Sequence, residues 1–175
     1  TAKRPEDDDR LVEEIYDALD EGEPDRALAS ARIALHDAPD DPVLHFLAGV
    51  ALGELDLPGE AVLEFGRAIS LDPDDPEFLA ARAQALFATC RFAEARADAE
   101  TALATEKAHA DARWVLGLVL EREGRFDDAD DKSVEEVMEV IRAARAESGI
   151  TYVDFNTGHY TGDTYLDILE PYILR

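Results

Sequence analysis

A spacing of 34 residues recurs along this chain. Ala27, Ala61, Ala95 and Ala129 each stand 34 positions from the next. Ala34, Ala68 and Ala102 form a second register, and Leu35, Ile69 and Leu103 a third. Pro39 and Pro73 hold one place in two copies. A fixed period of this length marks units too small to bury their own apolar faces. They are stable only when stacked into a continuous core.

Each unit reads as two short amphipathic helices. In the stretch 42–75, Pro42 suits the first turn of a helix, where a missing N–H removes no hydrogen bond. Leu44, Leu47, Ala48 and Leu52 follow at helical spacing. Gly53, Asp56 and the Pro58–Gly59 pair interrupt the pattern. A second stripe runs through Ala61, Val62, Phe65, Ala68 and Ile69. Asp72-Pro73-Asp74-Asp75-Pro76 ends it, with Asp74 or Asp75 placed to cap the next helix. The alanines at i and i+7 allow two helices to cross closely, and Phe65 between them fills the gap toward the neighbouring unit. Gly49 and Gly117, at one place in two units, allow the same close approach.

The pattern predicts an all-α chain, an α–α superhelix with a non-repeat C-terminal tail. Repeats occupy 8–131, divided as 8–41, 42–75, 76–109 and a degenerate 110–131. Ser133 and Glu136 form a capping box that opens a capping helix over 132–149. Residues 150–175 are a tail rich in large apolar side chains. Tyr165, Leu166, Ile168, Leu169 and Tyr172 are expected to dock in a groove, either the chain's own or that of a second copy in a homodimer.

These units resemble the tetratricopeptide repeat. The best match runs from Leu44 to Pro73, with Gly49, Leu52, Ala61, Phe65, Ala68 and Pro73 in family-like places. The first unit departs with Ile15 where the family prefers glycine and Ala31 where it prefers an aromatic. The third carries Lys107 in place of the closing proline. The resemblance implies that first helices line a concave face. On that face fall Val12 and Tyr16, then Phe46, Leu47 and Val50, then Gln84 and Phe87, then Trp114 and Leu118. Some members of the family grip an acidic C-terminal carboxylate with Lys, Arg and Asn. Here the corresponding places are mostly apolar, with Glu77 and Asp111 nearby, so that clamp is expected to be absent.

The net charge is −24 over 175 residues. A field of this sign repels nucleic-acid backbones and anionic membranes, and favours apolar or basic partners. No catalytic constellation emerges. The histidines His36, His45, His109 and His159 lack metal-ligand spacing, and the Asp clusters lack the glycine of a calcium loop. Cys90, the lone cysteine, falls at a helix-to-helix turn. The expectation is a non-enzymatic scaffold, cytoplasmic by default and without cofactor, that binds an apolar peptide or helix. The alternatives are self-association or autoinhibition through the tail, or an adaptor that positions an enzyme.

Overall fold

The computed structural model describes residues 6–123. Among them are seven α-helices and no strand. They are α1 (Glu6–Asp20), α2 (Pro24–Asp37), α3 (Pro42–Glu54), α4 (Pro58–Leu71), α5 (Pro76–Ala88), α6 (Phe92–Thr105) and α7 (Ala110–Glu123). The starts of α3, α5 and α7 lie 34 residues apart, so the sequence period is also a structural one. The proposed capping helix at 132–149, the tail at 150–175 and the end of the fourth unit lie outside the described residues.

The helix starts follow from side-chain chemistry. The Asp41 carboxylate accepts from the backbone N–H groups of Val43 at 2.9 Å and Leu44 at 3.2 Å, with Pro42 as the first helical residue. One unit later Asp75, rather than Asp74, accepts from the Glu77 N–H at 2.9 Å. Such caps contribute about 1 kcal/mol each. His109 holds the same register before α7, and its Nδ1 faces the Ala112 N–H at 3.4 Å. Pro58 does not separate helices as its sequence context suggests. It opens α4 as an N-terminal proline.

The turns inside each unit share one geometry. Gly22, Asp56 and Cys90, again 34 residues apart, have φ of 70°, 60° and 61°. After α3, the Asp56 N–H donates to the Gly53 carbonyl at 3.0 Å and the Leu57 N–H to the Leu52 carbonyl at 2.9 Å. The Cys90 and Arg91 N–H groups do the same to Phe87 and Leu86, and Gly22 and Glu23 to Leu19 and Ala18. This is the Schellman closure, in which a left-handed residue satisfies the last carbonyls of a helix. Cys90 therefore has a backbone role at an exposed turn.

Each helix packs on its successor. In addition α1 touches α3, α3 touches α5, and α5 touches α7, whereas no comparable contact joins α2 to α4 or α4 to α6 among the described residues. First helices thus approach one another more closely than second helices do, as on the inner side of a bent stack. The core between the layers is built from Ile15, Leu44, Leu47, Leu86, Val115, Val119 and Leu120, all almost fully buried, interleaved with alanines. At its centre a Cβ on Gly49 would lie 2.5 Å from the Phe65 ring. Glycine is required there because the ring occupies the space a side chain would need.

Candidate ligand face of the first helices

Residues at i, i+4 and i+7 share a helical face. In α1 these are Val12, Tyr16 and Leu19, in α3 Phe46, Val50 and Gly53, in α5 Ala80, Gln84 and Phe87, and in α7 Trp114, Leu118 and Glu121. Because the first helices lie side by side, the places form rows across the units. Tyr16 is 47% exposed, and Gln84 is exposed. Val12, Phe46, Val50, Phe87, Trp114 and Leu118 are half-buried. Leu47 departs from expectation. It is 1% exposed and belongs to the core. Successive helical residues diverge by about 100°, so Leu47 cannot share the outward direction of Phe46.

Two aromatic side chains of this face, Phe46 and Phe87, pack on other rings. The Phe46 ring centroid stands 5.1 Å from that of Phe78 and 5.8 Å from that of Phe65. Phe87 meets Phe92 edge-on at 5.3 Å, and the Arg122 guanidinium covers the Phe92 ring at 4.9 Å. Such contacts limit ring motion.

Polar groups brace the helix pairs behind the face. Arg82 on α5 donates two hydrogen bonds to Asp98 on α6, at 2.7 and 2.8 Å. Those bonds raise the arginine's pKa above its ordinary value. His45 is buried between the Glu64 carboxylate at 2.8 Å and the Pro39 carbonyl at 2.9 Å. Burial pushes the Glu64 carboxyl up, but hydrogen bonds from His45 and Arg67 overcome it and hold the group below the usual carboxylate range. His109 faces Glu77 at 3.2 Å through Nε2. With Nδ1 accepting from Ala112, the network fits the neutral Nε2–H tautomer. His36 is exposed beside Asp37. The described residues hold no group of three or more His, Cys, Asp or Glu placed to bind a metal ion.

Sequence reasoning missed these braces. The partners are 16 to 32 residues apart, and the residue types that pair change from unit to unit. The one available signal was opposite charge at Arg82 and Asp98, whose equivalents in the first unit, Glu14 and Ser30, are also hydrogen-bonded at 3.2 Å.

The face also has an acidic edge. Asp20 and Glu54, equivalent residues at the ends of α1 and α3, lie one turn beyond Tyr16 and Val50. Burial raises the Glu54 carboxyl above its ordinary range. Glu77 and Asp111 lie one turn before Ala80 and Trp114. The largest exposed aliphatic side chains on the second helices, Ile33 and Leu63, fall at different places in their units and form no row.

The helix pairs stack into a solenoid whose first helices carry a largely apolar face. The tetratricopeptide repeat model matches residues 12–76 and 80–131, and the chain belongs to that family. No curated relative matches the chain. Solved structures share the fold. One is MamA, at a TM-score of 0.68 and 21% identity, covering 79% of this chain and 78% of that one. The first tetratricopeptide domain of Spaghetti (RPAP3), bound to the HSP90 peptide SRMEEVD, matches at 0.65 and 22%, covering 67% and 93%. The second such domain of human RPAP3, in complex with the HSP70 peptide SGPTIEEVD, matches at 0.59 and 22%, covering 64% and 97%. Among the described residues no helix is long and apolar enough to cross a membrane.

Proposed function

We propose that the chain is a protein-interaction scaffold that receives an apolar segment of a partner on the inner face of α1, α3, α5 and α7. One observation carries this reading. Val12, Phe46, Val50, Phe87, Trp114 and Leu118 recur at equivalent places on adjacent helices and remain half-buried, with Tyr16 exposed beside them. Burying those surfaces supplies the binding free energy, at about 25 cal/mol per Å² before the cost of association. Two of the similar structures are peptide complexes, which supports a peptide-receiving role for this fold.

Trp114 is the only tryptophan, so its emission reports directly on the face. An amphipathic peptide titrated into the full chain is expected to shift that emission saturably. Tyr16→Ala should weaken binding several-fold, whereas Leu63→Ser on the outer surface of α4 should not. Equal effects of the two substitutions would remove the inner face as the site. The competing occupant is residues 150–175 of the chain itself, with Tyr165, Leu166, Ile168, Leu169 and Tyr172 as its anchors. That segment lies outside the described residues, and the charge of the face bears on it.

A further inference from the structure

We infer that the inner face takes a partner segment whose apolar stripe is flanked by lysine or arginine, in preference to neutral or acidic segments of the same shape. This deepens the proposed function and rests on it.

The apolar rows are bordered by carboxylates on both sides along the helix direction, Asp20 and Glu54 at one end and Glu77 and Asp111 at the other. Of the cations of these helices, Arg10 is exposed on α1 and the other three make other contacts. Arg82 pairs with Asp98, Arg113 donates to the Lys107 carbonyl, and Arg122 lies over Phe92. In the register of Asp20 and Glu54, α5 carries Ala88 and α7 carries Arg122, the guanidinium that covers Phe92.

Two border acids are also placed against the interest of the fold. Asp20 and Glu54 are the last residues of α1 and α3, and neither helix has a basic residue in its final turn. An anion at a helix C-terminus meets the negative end of the macrodipole. Neither carboxylate has a hydrogen bond or ion pair among the described residues. Glu54 is partly desolvated as well, and burial disfavours its charge. A ligand cation beside these groups would offset the dipole at both helix ends and the burial of Glu54. The apolar rows supply affinity, and the border sets the sign of charge that is accepted.

The same chemistry argues against the chain's own tail as occupant. Asp163, Asp167 and Glu170 surround its apolar residues, so its flanks repeat the charge of the border.

Three synthetic peptides test the inference. They share one apolar stripe and differ only in flanking Lys, Gln or Glu. Titrated into the full chain at low salt and read by Trp114 emission, they should bind in the order Lys, Gln, Glu. The outer pair should be separated by on the order of tenfold or more, a gap that narrows as salt screens the border. A Glu peptide that binds as tightly as the Lys peptide overturns the inference while the groove stands. Failure of all three to bind overturns the groove reading and the inference with it.

Net charge alone could favour a basic peptide, so a paired control is needed. Neutralising Asp20 and Glu54 (D20N/E54Q) should cut the Lys preference several-fold. Neutralising Asp25 and Glu60 on α2 and α4 (D25N/E60Q) should change it far less. Equal loss in both variants would assign the preference to the bulk field and overturn the inference. A peptide of residues 150–175 should leave Trp114 emission unchanged. If it instead binds more tightly than the Lys peptide, the occupant is the chain itself and the inference is wrong.

Discussion

The pair α3–α4 and the pair α5–α6 have the same backbone plan and are held together differently. In α3–α4 an aromatic ring, Phe65, presses on Gly49 and is backed by Phe46. The equivalent places in α5–α6 are Ala83 and Ala99, both fully buried, and the ring is gone. There the two-pronged Arg82–Asp98 bridge occupies places that are Ala48 and Glu64 one unit earlier. The first unit offers a third solution, with Ile15 and Ala31 at the two places, so the bulk sits on the first helix instead of the second. One architecture tolerates three ways of filling the gap because the period fixes backbone spacing, and any set of side chains with the right total volume satisfies it.

The largest expected effect breaks the aromatic version. Phe65→Ala should cost about 3–5 kcal/mol in chemical denaturation, from lost transfer energy plus the cavity left behind. Gly49→Ile should cost roughly 1–3 kcal/mol or more by overpacking against the ring. Combining them transplants the first unit's solution into the second. The double variant should be more stable than the sum of the single effects allows. Strict additivity would mean that the two places are not exchanging volume.

The polar version should break less severely. Arg82→Ala leaves Asp98 buried without its bidentate partner, at a cost of about 2 kcal/mol. Replacing both with apolar residues of similar size should recover most of it. A double-mutant cycle with no coupling between the two sites would show that the bridge fills space without binding charge.

Acid sharpens the comparison further. The folded-state pKa of Glu64 is depressed, so its contribution is present above the usual carboxylate range and is lost as pH falls through the depressed value. Glu64→Gln should therefore flatten the acid limb of the stability profile. An unchanged limb would dissociate that loss from the His45–Glu64 contact.

The turns should give the smallest effects. Gly22→Ala forces a side chain into φ of +70° and should cost about 1 kcal/mol. Cys90→Gly relieves the same strain two turns later and should stabilise by about 0.5 kcal/mol, read as a small rise in Tm. If both changes destabilise, packing at the turn outweighs backbone conformation.

The period exposed the fold, the small residues at Ala61, Ala68 and Gly49, and the aspartates that cap α3 and α5. These features were legible because each is a local rule repeated at fixed spacing. The register of Gly22, Asp56 and Cys90 was equally periodic. It was hidden by a change of residue type, since only glycine advertises positive φ. The inner face was largely legible as well, because helical geometry sends Val12, Phe46 and Trp114 the same way. Leu47 is the exception, because the single residue step from Phe46 turns its side chain into the core. The braces were not legible, because the partners of the acids at the shared place of Glu64 and Asp98 change from unit to unit, His45 standing where other units carry Leu11 and Leu79, and Arg82 where the second carries Ala48.

The central claim is that ligands meet the first helices and not the second. Backbone amide chemical-shift mapping of the full chain with the Lys-flanked peptide tests it most directly. The largest shifts are expected at Tyr16, Val50, Gln84 and Leu118, with little change around Ile33 and Leu63. Shifts concentrated at Ile33 and Leu63 would contradict it.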